Sequence, residues 1–236
     1  MINSYDINKL PTDWYLVMPL SMSRLENWKW QSPDDCFEII EYFENKVSQV
    51  GIDFLFIYTN WLYYNNDESA LSVRKRTNQQ MINHKNRLLK LLMKSKKYIP
   101  QAAHFIPWDY IVLNSPQFSE YYQTLIKLKE TDEEFKFILE EWLAGRENTE
   151  ANINFFIEEI IVTHLIRQKL IEFPKTLVRQ DKFRLVIYPG SYLKADLYQW
   201  KNKILPQFEN SNENDNPYYA SQYDFEKKII NNFDNL

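Results

Sequence analysis

Three positions carry groups able to do covalent or proton chemistry. Ser21 closes the apolar run Trp14–Leu20 (WYLVMPL), which is brief and apolar enough to read as a buried strand. Tyr188 closes a second such run, Phe183–Tyr188 (FRLVIY), stopped by Pro189-Gly190. In open parallel sheets ligands meet the fold at the carboxyl ends of the strands, so a hydroxyl nucleophile and a phenol are expected there. Taken alone, a serine at a strand end is more often a cap than a nucleophile, and Ser23 competes for either role. The third position is Glu159. At 100° per residue, a helix over 149–170 places Ala151, Phe155, Glu159, Val162 and Ile166 on one face, with Glu158 flanking. An ionised carboxylate on an inward stripe is costly unless paired. Glu159 is therefore expected at a cleft edge or beside a cation, where burial raises its pKa towards the range useful for proton transfer. The other reading is a structural acid paired with Arg167 or Arg179.

A fourth feature is electrostatic. The chain carries a net charge of −4, yet residues 69–108 hold nine Lys or Arg and no acid; removing those nine leaves −13 for the rest. On a helix from Glu68 to Lys97, the cations Arg76, Arg87, Lys90, Lys94 and Lys97 fall within an arc of about 80°. Leu71, Ile82, Leu89 and Met93 are expected to form the opposite, core-facing stripe. Solvated helices usually alternate charge sign for i,i+4 support, and this one does not. A row of cations about a turn or more apart suits a sugar–phosphate backbone, whose counterions it releases. An acidic protein partner, a membrane surface or a plain solvated face are the competing readings. Leu92-Met93-Lys94-Ser95-Lys96 superficially matches the Lys-Met-Ser-Lys-Ser loop of class I aminoacyl-tRNA synthetases. Its register is wrong, it sits on a helix, and no His-Ile-Gly-His partner exists.

Several chemistries are excluded. Gly51, Gly145 and Gly190 are the only glycines and stand far apart, which rules out a P-loop and a Gly-x-Gly-x-x-Gly turn. Cys36 is the single cysteine, and His84, His104 and His164 lack metal-ligand spacing. No metal and no cofactor is expected. The first residues, MINSYDINKLPTDW, contain no apolar h-region, and no run reaches membrane-spanning length; a cytoplasmic location and no membrane partner are expected.

The elements that must position these groups follow from pattern. Trp14–Leu20, Ile52–Tyr58 and Phe183–Tyr188 read as strands, and Phe105–Val112 mixes strand and turn signals. Ser32-Pro33-Asp34-Asp35 starts a helix to about Val50 with a capping serine, a first-position proline and early acids. Further helices are predicted at 68–97, 116–129, 132–144, 149–170 and 193–204. This order implies a parallel α/β sheet with crossover helices. One domain is expected over 1–236, with a core at about 12–205. Residues 206–236 are Asn-rich and acidic, read as a loosely ordered tail whose aromatics could dock on the body.

Three segments in order carry a family resemblance. Tyr15-Leu16-Val17-Met18-Pro19-Leu20-Ser21 resembles the His-x-aliphatic-aliphatic-Gly-aliphatic-Ser motif of the tRNA-dependent cyclodipeptide synthases. Phe155-Phe156-Ile157-Glu158-Glu159-Ile160-Ile161 resembles their Tyr-aliphatic-x-x-Glu-x-Pro motif. Ile187-Tyr188-Pro189 is similar to the signature of the subfamily with Tyr-Pro there. The basic helix lies between the first two, where the family carries its tRNA-binding helix. Tyr15 replaces the motif's His, Pro19 its Gly and Ile161 its Pro, while Phe155 replaces a tyrosine whose hydroxyl helps hold the aminoacyl amino group.

The resemblance implies a Rossmann-like parallel sheet flanked by helices, akin to a class I aminoacyl-tRNA synthetase catalytic core without its ATP site. It implies an aminoacyltransferase that uses two aminoacyl-tRNAs in sequence and releases a diketopiperazine without ATP. Ser21 would take the first aminoacyl group covalently, and Glu159 would bind its ammonium group and assist proton transfer. The second aminoacyl-tRNA leads to a dipeptidyl-enzyme, whose cyclisation Tyr188 assists. Val17 and Pro19 would line the first side-chain pocket and Val186 the second; Arg24 would favour an acidic side chain or steady the acceptor end. The alternative is a non-catalytic tRNA- or RNA-binding protein with the same fold. A serine hydrolase or acyltransferase working without nucleic acid is disfavoured, because no Gly-x-Ser-x-Gly elbow exists.

Overall fold

The computed structural model describes residues 13–21, 30–46, 51–59, 70–95, 103–143, 149–167, 183–189, 194–206 and 220–232. In chain order the elements are β1 (Asp13–Ser21), α1 (Pro33–Lys46), β2 (Gly51–Thr59), α2 (Ala70–Lys94), β3 (Ala103–Pro107), α3 (Trp108–Leu113) and α4 (Phe118–Thr131). Then come α5 (Glu133–Trp142), α6 (Glu150–Arg167), β4 (Phe183–Tyr188), α7 (Lys194–Lys201), β5 (Ala220–Asp224) and β6 (Ile229–Asn232).

The strands form one sheet in the order β3-β2-β1-β4-β5-β6. The β3-β2, β2-β1, β1-β4 and β4-β5 pairs are parallel, and β6 runs antiparallel to β5. The Rossmann-like parallel sheet expected from the alternating pattern is thus present. Helices cover both faces, which explains why the inner strands are apolar on both sides of the pleat. On one face Tyr15, Val17, Leu55, Ile57, Ile106 and Val186 join residues of α3 to α7 in a single core. On the other, Leu16, Met18, Leu20, Phe54, Phe56, Tyr58 and Ile187 pack with α1, α2 and Tyr223.

Local chemistry starts α1 and α5 as their sequences suggest. Ser32 Oγ accepts from the Asp35 backbone N–H at 3.0 Å, and the Asp35 carboxylate accepts from the Ser32 N–H at 3.0 Å. That reciprocal pair satisfies two donors that the helix start would otherwise leave free. Asp132 likewise accepts from the N–H groups of Glu134 and Phe135.

Two expectations need correction. The core stripe of α2 is His84, Leu88 and Leu92, with Met81 and Leu89 partly covered. Ile82 is 45% and Met93 65% exposed, so neither faces the core. At 100° per residue Met81, Leu88 and Leu92 lie nearly opposite the cations, whereas Ile82 and Met93 lie only about 80–100° from the middle of the cationic arc, so the predicted stripe was rotated towards the cations. In the segment read as a tail, 220–232 add β5 and β6 to the sheet, and Tyr223 is buried against Tyr42 and Phe225. Its hydroxyl donates to Glu38 at 3.2 Å, so one of the tail's aromatics does dock. Among the described residues, no helix is long and apolar enough to cross a membrane.

Candidate active site at the switch point

The sheet order reverses direction at β1. The chain builds outward from β1 to β2 and β3, then returns to place β4 on the other side of β1. Such a switch point opens a crevice at the carboxyl ends of the two strands concerned. The pairs between β1 and β4 run from Trp14↔Phe183 to Val17↔Val186. Beyond them each strand stays with its outer neighbour, β1 with β2 to Ser21↔Thr59 and β4 with β5 to Tyr188↔Gln222. Ser21 and Tyr188 are the final residues of β1 and β4. The backbone therefore sets both at the mouth of one crevice, as their strand-end positions suggested.

The floor below them is apolar. Val17 and Val186 are direct register partners, both buried in the same core as Phe155. The positions assigned to two different side-chain pockets are thus neighbours on one face. Pro19 is also buried. Phe155 packs edge-on against Phe156, with ring centroids 5.2 Å apart. Ser23, Arg24, Lys97 and Arg179 lie outside the described residues.

The two glutamates exchange the places expected of them. Glu158 is 0% exposed, and its Oε1 accepts the Trp108 indole N–H at 2.7 Å. Glu159 is only partly covered. The reason is the environment of α6, which is enclosed on almost every side: Ile153, Phe155, Phe156, Ile157, Ile160, Ile161, Val162, Leu165 and Ile166 are all buried. Asn152, Glu159 and Thr163 form a narrow, partly covered face of the helix, so the inward stripe drawn through Glu159 misplaced Glu158. That bond makes Glu158 a tie between α6 and the start of α3. Glu159 keeps partial contact with solvent.

Sequence reasoning missed a buried polar chain behind the crevice. Tyr58 near the end of β2, His84 on α2 and Gln31 ahead of α1 are all 0% exposed. The Tyr58 hydroxyl lies 2.7 Å from His84 Nδ1, and His84 Nε2 lies 2.9 Å from the Gln31 carbonyl. A carbonyl only accepts, so Nε2 carries the proton and Nδ1 accepts from Tyr58. Burial lowers the His84 pKa to about 4, which keeps the ring neutral. Burial also pushes up the Tyr58 hydroxyl and the Cys36 thiol, making that cysteine a poor nucleophile. The available signal was the i, i+4, i+8 spacing of His84, Leu88 and Leu92.

Of the five cations assigned to one ridge, Arg76, Arg87, Lys90 and Lys94 are exposed on α2. Arg87 makes a 3.5 Å ion pair with Asp34, both side chains more than half exposed, a contact that contributes little to stability. Lys85 sits over the Phe105 ring at 4.9 Å.

Together these features define a Rossmann-like α/β domain with a switch point between β1 and β4. No family model matches the chain, and no curated protein matches it. Solved structures do. A CDPS from Fluoribacter dumoffii has a TM-score of 0.58 at 15% identity, covering 87% of this chain and 89% of its own. A cyclodipeptide synthase from Streptomyces noursei has a TM-score of 0.50 at 8% identity, covering 91% and 97%. A Mycobacterium tuberculosis protein matches with a TM-score of 0.51 at 12% identity, covering 88% and 84%; its structure is described as relating cyclodipeptide synthetases to type I tRNA synthetases. At such identities the likeness is one of fold, and function has to be argued from the site.

Proposed function

We propose that this chain is a tRNA-dependent cyclodipeptide synthase of the Tyr-Pro type, acting in the cytoplasm on two aminoacyl-tRNAs in turn. The observation that carries the reading is the placement of Ser21 and Tyr188 at the ends of β1 and β4, across the switch point of a sheet shared with cyclodipeptide synthases. The three motif segments support it.

Ser21 Oγ attacks the ester carbonyl of the first aminoacyl-tRNA; the acyl–oxygen bond to the tRNA breaks and the tRNA leaves with its hydroxyl restored. The ester is already activated, so no ATP is consumed. Glu159 holds the ammonium group of the seryl-bound residue and takes its proton. The freed amine attacks the ester of the second aminoacyl-tRNA, giving a dipeptidyl-serine and the second free tRNA. The terminal amine then attacks the seryl ester, closing the diketopiperazine ring, while Tyr188 relays the amine proton towards Ser21 Oγ. Phe155 supplies shape but no hydroxyl, leaving Glu159 as the motif's polar contact to the ammonium group. The cations Arg76, Arg87, Lys90, Lys94 and Lys97 meet tRNA phosphates, which add affinity whichever amino acid is attached. Val17, Pro19 and Val186 form the apolar wall for the side chains, and Arg24 steadies an acidic side chain or the acceptor end.

The test is expression in bacteria with mass spectrometry of the medium for diketopiperazines, alongside incubation with labelled aminoacyl-tRNA. Product should appear, label should reside on the protein, and Ser21→Ala should abolish both while Ser23→Ala leaves both intact. tRNA binding without label or product would instead establish the non-catalytic RNA-binding reading.

A further inference from the structure

The buried chain behind the crevice has one more link. The Gln31 side-chain amide donates to the Pro189 carbonyl at 3.0 Å, joining residues 158 positions apart. Pro189 follows Tyr188 directly and is itself buried. Its ring fixes φ, and the hydrogen bond orients its carbonyl, so the backbone immediately after Tyr188 is held at both dihedrals. Gln31 is in turn held by His84, which donates to the Gln31 carbonyl, and His84 by Tyr58. Cys36 Sγ lies 3.9 Å from the same carbonyl. A fully buried amide placed away from its partner costs the desolvation of that group, so this chain is stable only when every link is made. Its course runs from the end of β2 through the basic helix to the end of β4.

We propose that Gln31 is a positioning residue for Tyr188, holding the peptide after it and so fixing the backbone where β4 ends at the β1/β4 switch point, with His84 setting Gln31. This rests on the function proposed above, in which Tyr188 serves the cyclisation step and Ser21 the acylation step. The role is therefore step-specific: loss of the amide donor should spare acylation and slow ring closure.

The experiment uses the full chain and a pool of tRNA charged with radiolabelled amino acids. Single-turnover labelling of Ser21, steady-state diketopiperazine release and the KM for charged tRNA are measured for the wild type, Gln31→Met, Tyr188→Phe and their double variant. In Gln31→Met, labelling rate and KM should stay within about twofold of wild type while turnover falls about tenfold or more, the scale of loss that a misplaced catalytic group brings. The double variant should be no slower than Tyr188→Phe alone, because both changes act through one group. His84→Gln, which retains an N–H donor near the Nε2 position, should keep more turnover than His84→Leu. Gln31→Asn, too short to reach Pro189, carries the same expectation as Gln31→Met should the latter fail to fold. Equal slowing of labelling and turnover, or no change in either, overturns the proposal. A wild-type protein that never acquires label overturns the parent function and this role with it, an outcome distinct from a labelled wild type with an unaffected Gln31→Met.

Discussion

Acidification should destabilise this protein through His84 by an amount that its surroundings set. The ring is fully buried and its pKa is lowered from 6.5 to about 4, burial being the chief cause and Arg87 adding to it. The Gln31 and Ser32 backbone contacts oppose that shift. The folded pKa lies below the unfolded one, so the unfolded chain binds more protons throughout the window between them. Stability is then complete above pH 6.5 and falls as the pH drops towards 4. At 1.36 kcal/mol for each pKa unit, the full loss is about 3 kcal/mol, of which about 2 falls between pH 7 and pH 5. Carboxylates titrate at the lower end of the same range, so the histidine contribution has to be isolated. Urea unfolding of wild type and His84→Gln at pH 7, 6 and 5 does this, since the variant cannot bind the proton. The free-energy gap between the two should shift by about 2 kcal/mol in the variant's favour across that interval. Parallel curves would refute the reasoning and mean that His84 is either charged in the fold or reached by water.

Other outcomes follow from particular contacts. Glu158→Ala should lower stability by about 2 kcal/mol by leaving the buried Trp108 N–H without its acceptor, read from thermal melts; a neutral result would mean the bond is not made. Glu159→Gln should leave the melt unchanged and abolish diketopiperazine formation, and equal behaviour of the two substitutions would remove Glu159 from the mechanism. Arg87→Ala with Lys90→Ala should reduce the salt slope of tRNA binding by about two phosphate equivalents, measured by filter binding at several salt concentrations. Asp34→Asn, which frees Arg87 from its ion pair, should strengthen that binding slightly. Cys36, buried and with its thiol pushed up, should resist iodoacetamide in the native protein and react on unfolding.

Much was decided by the sequence alone because it depends on short-range pattern. Mainly apolar runs at 14–20, 52–58 and 183–188 suit a sheet covered on both faces, and Ser32-Pro33-Asp34-Asp35 carries the signals of a helix start. The absence of acids from 69–108 announced a cationic surface whatever the fold, since charge of one sign stays in water. Strand-end placement of Ser21 and Tyr188 followed from the same runs. Tertiary structure decided the rest. The order β3-β2-β1-β4 brings the ends of β1 and β4 to one crevice, and strand order is not written in any local pattern. Burial of Glu158 depends on α6 being enclosed on both sides, which a single helical stripe cannot express. His84 and Gln31 became a link to Pro189 only when α2 and the start of α1 closed on the end of β4. Residues 220–232, too polar to read as strands, were recruited by the open edge of β4, whose unpaired backbone groups the hairpin satisfies. Long-range hydrogen bonds, rather than composition, set these positions.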